Sequence, residues 1–216
     1  MLVVLEGLDG VGKSLQTRLL QEYFALYQPE VLHFPRHHQR PFGDLISRFL
    51  HGDLGDIEAT HPALVALLFA CDQFDYMKNI DTKEDLVILD RYYYSNMAYH
   101  SAKFSHAQER LAFRQWLADV SKIFSLPPAD LLFYLELPDT LTSANLEQRT
   151  ADGKSDHYER DLSFQARVRE AYQAMLAEEK NVVRIACAQP DGTWRSAQEI
   201  HLEMVQHIER WLEENT

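Results

Sequence analysis

The chain is short of cysteine, of long apolar runs and of positive charge, and each shortage excludes a class of protein. Two cysteines in 216 residues, Cys71 and Cys187, build no disulfide framework. Both lie in apolar segments and read as small buried hydrophobes, which fits a reducing cytoplasm. The longest apolar run, Ala63 to Cys71, falls far short of a membrane span, and the first residues lack a basic export signal, so no membrane association is expected. Only 21 Lys and Arg stand against 33 Asp and Glu, a formal net charge of -12. That balance argues against nucleic acid as a partner, because such binding relies on cations placed at phosphates. No Cys/His spacing resembles a zinc site, and the ten histidines, His37-His38 among them, read as solvated surface residues. No Pro/Gly/Ser linker, repeat or low-complexity tract interrupts the chain. At 46% hydrophobic it is expected to form a single domain over residues 1–216.

Glycine is also sparse, yet Gly7, Gly10 and Gly12 crowd together near the start. The apolar run Leu2 to Leu5 leads into Gly7-Leu8-Asp9-Gly10-Val11-Gly12-Lys13-Ser14, and helical periodicity begins at Leu15. Strand, glycine-rich loop and helix in that order form the context of a phosphate-binding P-loop. Glycines let backbone N–H groups close around an anion, and the helix start adds unpaired donors and a positive dipole end. Gly7 to Ser14 are therefore the expected ATP-binding residues. In that role Lys13 reaches the β- and γ-phosphates and the Ser14 hydroxyl ligands Mg²⁺. A nucleoside triphosphate is the expected ligand.

The first helix is expected from Ser14 to about Tyr27, and Val31 to Phe34 reads as a second strand stopped by Pro35. A short helix over Leu45 to Leu50 follows the turn at Pro41. A long helix opens at Thr60-His-Pro-Ala, with Leu64, Leu67, Leu68 and Cys71 at helical spacing. Leu86 to Leu89 and Leu131 to Leu135 are unbroken apolar runs of the kind buried on both faces of a parallel sheet, and Val182-Val-Arg-Ile-Ala186 reads as a third such strand. Helices are expected over Ala107 to Phe124, Asp161 to Glu179 and Ser196 to Glu214. Strands alternating with helices imply an α/β domain with a parallel sheet and right-handed crossovers. The polar stretch Arg149 to Arg160 reads either as a mobile lid or as a plain solvated loop.

Ligands of open α/β sheets gather at the carboxyl ends of the strands. Asp90 stands at such an end, where a carboxylate can orient Mg²⁺ or its waters, and Arg91 beside it offers a planar fork for a phosphate. Phe34-Pro35-Arg36 follows the second strand in the same way and supplies another guanidinium. Phe69 and Gln73 are four residues apart on the long helix, so an aromatic face and an amide share one side. Such a pair can stack on a base and read its edge, or be core plus surface.

Glu6-Gly-Leu-Asp-Gly-Val-Gly-Lys-Ser14, Phe34-Pro-Arg36, Leu68-Phe-Ala-Cys-Asp-Gln73, Leu89-Asp-Arg-Tyr-Tyr-Tyr-Ser-Asn-Met-Ala-Tyr99 and Asp156-His-Tyr-Glu-Arg160 resemble the thymidylate (dTMP) kinase family in order and spacing. The match is similar to bacterial members with an Asp-x-Tyr-Glu lid. The resemblance implies a P-loop NTPase fold, a five-stranded parallel sheet flanked by helices with a short lid at about 145–160, and a homodimer. It implies transfer of the γ-phosphoryl of ATP to dTMP, giving dTDP. By position, Asp9 meets the sugar 3′-hydroxyl or the metal shell, and Arg36 and Arg91 hold the acceptor phosphate. Phe69 stacks on thymine, with Phe34 nearby; Asn96 faces the base edge, and Tyr99 lies under the deoxyribose. Tyr158 and Glu159 approach from the lid, Glu159 toward the metal. The chain departs from the family at Gly10, where some members carry an arginine. The bacterial pattern moves that cation to the lid, where Arg149, Lys154 and Arg160 stand. It departs again at Gln73, where the family has an arginine that donates to thymine O4. Rival readings are a kinase for dUMP or dCMP, a deoxynucleoside kinase using Glu6 as base, and a nucleotide switch. The switch lacks an Asn-Lys-x-Asp guanine motif.

Overall fold

Every residue of Leu2–Gly7 is buried, as an unbroken apolar run requires when a strand has neighbours on both edges and helices on both faces. In the computed structural model, which describes residues 1–54, 60–82, 86–138, 141 and 162–215, this run is β1. It is followed by α1 (Lys13–Tyr23), a 3₁₀ turn (Ala25–Tyr27), β2 (Glu30–His33), α2 (Phe42–Leu50), α3 (Pro62–Met77), β3 (Val87–Asp90) and α4 (Tyr93–Ser101). Then come α5 (Ala107–Ile123), β4 (Leu131–Glu136), α6 (Leu162–Leu176), β5 (Val182–Ala186) and α7 (Ala197–Asn215). The strands form one five-stranded sheet, ordered β2-β3-β1-β4-β5 and parallel throughout.

The period-2 alternation of a strand splits the core into two layers. Leu2, Val4, Val87, Leu89, Leu132 and Tyr134 pack with residues of α3 to α6, among them Ala66, Met97, Leu117 and Tyr172. Val3, Leu5, Ile88, Phe133 and Leu135 face the other way, onto Leu20 of α1 and Met204 and Ile208 of α7. Each fully buried side chain of this size contributes about 1.5–3 kcal/mol. Register then sets the site. Leu5 lies level with Asp90, and Asp90 with His33, so the carboxyl ends of β1, β3 and β2 open onto one edge.

Several elements differ from the sequence expectations. The second strand spans Glu30–His33, leaving Phe34 beyond its end. The short helix starts earlier, at Phe42, and the first α-helix stops at Tyr23. The run Leu64, Leu67, Leu68 and Cys71 does not face the core. Leu64 is 66% and Leu67 37% exposed, Cys71 is half-buried, and the buried side of α3 carries Val65, Ala66, Ala70, Asp72 and Gln73. The histidines are not all solvated, since His100 and His201 are buried.

Candidate active site

β1 ends and α1 begins around a loop whose backbone only glycine adopts readily. A Cβ on Gly7, at φ +144, would stand 2.7 Å from the Leu135 carbonyl oxygen, and Gly12 caps α1 in the left-handed region at φ 98. The loop folds over Lys13, whose Nζ donates to the carbonyls of Gly7 (3.1 Å) and Leu8 (2.8 Å). One residue on, the Ser14 hydroxyl donates to Asp90 Oδ2 at 2.7 Å, and His33 Nδ1 lies 3.2 Å from that oxygen. Asp90 Oδ1 is buried and has no hydrogen-bond partner among the described residues.

Arg91 joins the loop to α4. Its backbone sits at φ 72, which costs a non-glycine residue on the order of 1 kcal/mol. Nη2 pairs with Asp9 and reaches the Tyr99 hydroxyl at 3.2 Å, while Tyr99 donates to Asp9 Oδ2 at 2.6 Å. Nη1 donates to Ser95 Oγ at 2.9 Å. The guanidinium lies 5.0 Å over the Tyr99 ring. Beneath it, the buried Glu6 accepts from the Tyr92 N–H (2.8 Å), the Ser95 N–H (3.1 Å), the Ser95 hydroxyl and the Tyr172 hydroxyl (2.7 Å).

These groups border a cavity of about 530 Å³ at the carboxyl edge of the sheet. Asp9, Gly10, Gly12, Lys13, Ser14, Asp90 and Arg91 line one end, and Phe34, Phe69, Gln73, Asn96 and Tyr99 line the rest. Phe69 and Gln73 therefore do share the cavity side of α3. Asn96 Nδ2 is tied to the Ala66 carbonyl at 2.9 Å, so the amide orientation is fixed; Asn96 Oδ1 and Gln73 Oε1 are buried with no partner among the described residues.

Arg36 is the site residue that the structure places elsewhere. It does not line the cavity, because Nη2 is bound to Asp72 at 2.9 Å and Asp75 at 2.8 Å, and its own N–H donates to Asp72. Two carboxylates from α3 hold it as a structural ion triad, not as a free phosphate fork. Arg149, Lys154, Tyr158, Glu159 and Arg160 lie outside the described residues.

His100 escaped the sequence reading although it lines the cavity. Its Nδ1 lies 2.9 Å from the Asn96 carbonyl and its ring meets Phe69 edge-on at 5.1 Å. A carbonyl partner requires Nδ1–H, and burial, with Lys103 adding to it, pulls the ring down to about 3, so it is neutral at physiological pH. A second cavity, about 650 Å³, was likewise not anticipated. It lies across the loop, where Leu8 and Val11 face Tyr134, Gln173, Pro190 and Arg195.

Burial would raise the acid groups, but their partners decide the outcome. Asp9 is held at about 2 against burial by Arg91, Lys13 and Tyr99. Asp90 is likewise held low against burial by His33, Lys13 and Ser14. Burial and the nearby Arg91 bring Lys13 down to about 8, and burial pushes Glu6 up. A depressed carboxyl stabilises the fold above its unfolded value, near ~4, and that contribution fades as the pH falls toward the folded value. The gap in unfolding free energy between wild type and Asp90→Asn is therefore expected to narrow as pH drops from about 4 to 2. Urea titrations across that range read it, and a gap constant with pH would contradict the depressed value.

The pattern of the family described as thymidylate kinase matches residues 5–196. A probable thymidylate kinase from Thermococcus kodakarensis is 32% identical, covering 99% of this chain and 100% of its own. A thymidylate kinase from Mycobacterium tuberculosis is also 32% identical, over 82% of this chain and 86% of its own. Among solved structures, thymidylate kinase from Candida albicans superposes with a TM-score of 0.68 at 22% identity, covering 96% of this chain and 90% of that one.

Proposed function

The chain belongs to the thymidylate kinase family, and from that premise we propose that its site transfers the γ-phosphoryl of ATP to dTMP, giving dTDP. The observation that carries this reading is the meeting of Lys13, Arg91, Phe69 and Asn96 in one cavity, which puts a phosphate loop within reach of a guanidinium and a base-sized slot. Phosphoryl transfer asks for positioning and charge neutralisation more than covalent chemistry. Lys13 exchanges its carbonyl partners for donor phosphate oxygens, and Arg91 turns its fork to the acceptor phosphate. Asp9 and Tyr99 hold Arg91 in place, and the second cavity, on the far side of the same loop, receives the donor base. The acceptor phosphate is already anionic and needs no general base.

Ser14 and Asp90 suit a hard cation, since both offer oxygen and Asp90 Oδ1 is buried with no partner among the described residues. Mg²⁺ bound there supplies charge neutralisation at the donor phosphates. The missing loop cation at Gly10 is assigned to Arg149, Lys154 or Arg160, in a single domain whose 145–160 segment is the lid. We place the protein in the cytoplasm as a homodimer, without nucleic-acid or membrane partners. Two free cysteines fit a reducing compartment, and the exposed row Leu64, Leu67 and Phe74 on α3 supports the dimer.

The deoxynucleoside-kinase alternative is not favoured, because both oxygens of Glu6 are occupied and Glu6 does not line the cavity. Assay of phosphate transfer from ATP to a panel of nucleosides and their monophosphates tests the reading. dTMP is expected to be turned over fastest, and faster turnover of thymidine would overturn it.

Gln73 sets a finer expectation. An arginine there can only donate, which favours thymine O4 over the amino group of cytosine, whereas an amide can present either atom. Gln73→Arg is expected to widen the dTMP/dCMP ratio of kcat/KM by about tenfold, as one well-placed polar contact discriminates by about 1–3 kcal/mol. A ratio that stays flat removes Gln73 from base recognition.

A further inference from the structure

We infer that Glu6 is a positioning residue for Arg91, acting through the Ser95 hydroxyl to set the guanidinium for the acceptor phosphate. The inference rests on the reading of Arg91 as the acceptor clamp. Glu6 lines neither cavity, so it touches no substrate. Its carboxylate is nonetheless saturated by groups that bear on Arg91. The Tyr92 and Ser95 N–H groups point into Oε1, and the Ser95 and Tyr172 hydroxyls into Oε2.

The geometry gives each of these contacts a consequence. Because the Ser95 hydroxyl directs its proton at Glu6, a lone pair of the same oxygen is left facing Arg91 Nη1, 2.9 Å away. Without the carboxylate that hydroxyl is free to turn toward the Tyr172 oxygen, 2.8 Å off, which swings its lone pairs off the line to Arg91 Nη1 and leaves the guanidinium less firmly aimed. Glu6 also does for α4 what its own cap does not. Tyr92 offers no side-chain cap, and the orphan N–H groups at the start of the helix are met from β1 instead. Arg91, the left-handed residue just before this turn, is thereby pinned on both sides, by Leu5 through its own N–H at 2.9 Å and by Glu6 through the next. Since Glu6 directly precedes Gly7, whose carbonyl receives both Lys13 and Arg91, the same strand end aligns the donor loop and the acceptor clamp.

A buried carboxylate that merely held the fold would affect every ligand alike. A carboxylate that aims Arg91 affects the phosphate of the acceptor and spares the nucleoside. Calorimetric titration of dTMP and thymidine into wild type, Glu6→Gln and Ser95→Ala separates the two. Wild type is expected to prefer dTMP, and Glu6→Gln to cut the dTMP/thymidine affinity ratio by about tenfold, with thymidine affinity little changed. Ser95→Ala removes the hydroxyl through which Glu6 acts and is expected to shift the ratio the same way; a ratio that it leaves unchanged overturns the proposal even if Glu6→Gln does not fold. In an Arg91→Lys background Glu6→Gln is expected to add little, as for residues acting in series. A wild-type preference that survives in the variants overturns this proposal alone. A wild type that binds thymidine as well as dTMP overturns the acceptor reading, and this inference with it.

Discussion

Replacing Lys13 with alanine is expected to lower kcat by at least a hundredfold while the protein stays folded. Removing one preorganised donor from a developing transition-state charge typically costs about 3 kcal/mol or more. The fold has less to lose. Lys13 is a buried cation brought down to about 8, so the folded state already works against its charge. The Gly7 carbonyl that it leaves still has Arg91 Nη1 at 3.4 Å. Far-UV circular dichroism and a melting curve verify the fold, and initial rates at saturating ATP and dTMP give kcat. A folded variant with near-wild-type turnover would remove Lys13 from the phosphate site.

Arg91 should show the second large effect, divided between binding and stability. Arg91→Ala leaves Glu6 and Asp9 without the cation between them, and breaking a buried pair in this way typically destabilises by about 3–5 kcal/mol. Arg91→Lys keeps a charge beside Asp9 but not the fork that reaches Asp9, Tyr99 and Ser95 together. The lysine variant is expected to fold and to raise the KM for dTMP about tenfold or more, with the KM for ATP little changed. Equal increases for both substrates would place Arg91 outside the acceptor subsite.

The parts of the molecule that could be read from sequence are those whose cause is local. Leu86 to Leu89 and Leu131 to Leu135 are apolar at every position because buried parallel strands need it, and Gly7 to Ser14 carry backbone requirements in their own residue types. What escaped depends on partners far along the chain. α4, with the sequence Tyr-Tyr-Ser-Asn-Met-Ala-Tyr-His-Ser, shows no apolar period and is capped by a residue of β1. Arg36 looked like a phosphate fork until folding brought Asp72 and Asp75 against it. The Leu64 and Leu67 stripe was apolar at the right spacing yet faces outward, because periodicity identifies a face without saying what it meets. His100 carries no motif at all, and only the packing of α4 on α3 brings it to Phe69.

Lys13 and Arg91, two cations of the described site, are engaged before any ligand arrives. Lys13 is folded onto loop carbonyls and Arg91 is matched by Asp9, within a chain of formal net charge -12. The net charge of the chain is screened beyond ~8 Å at physiological salt, so what a nucleotide meets at the site is set by these local pairs. Binding at Lys13 and Arg91 is therefore an exchange of internal partners for phosphate oxygens.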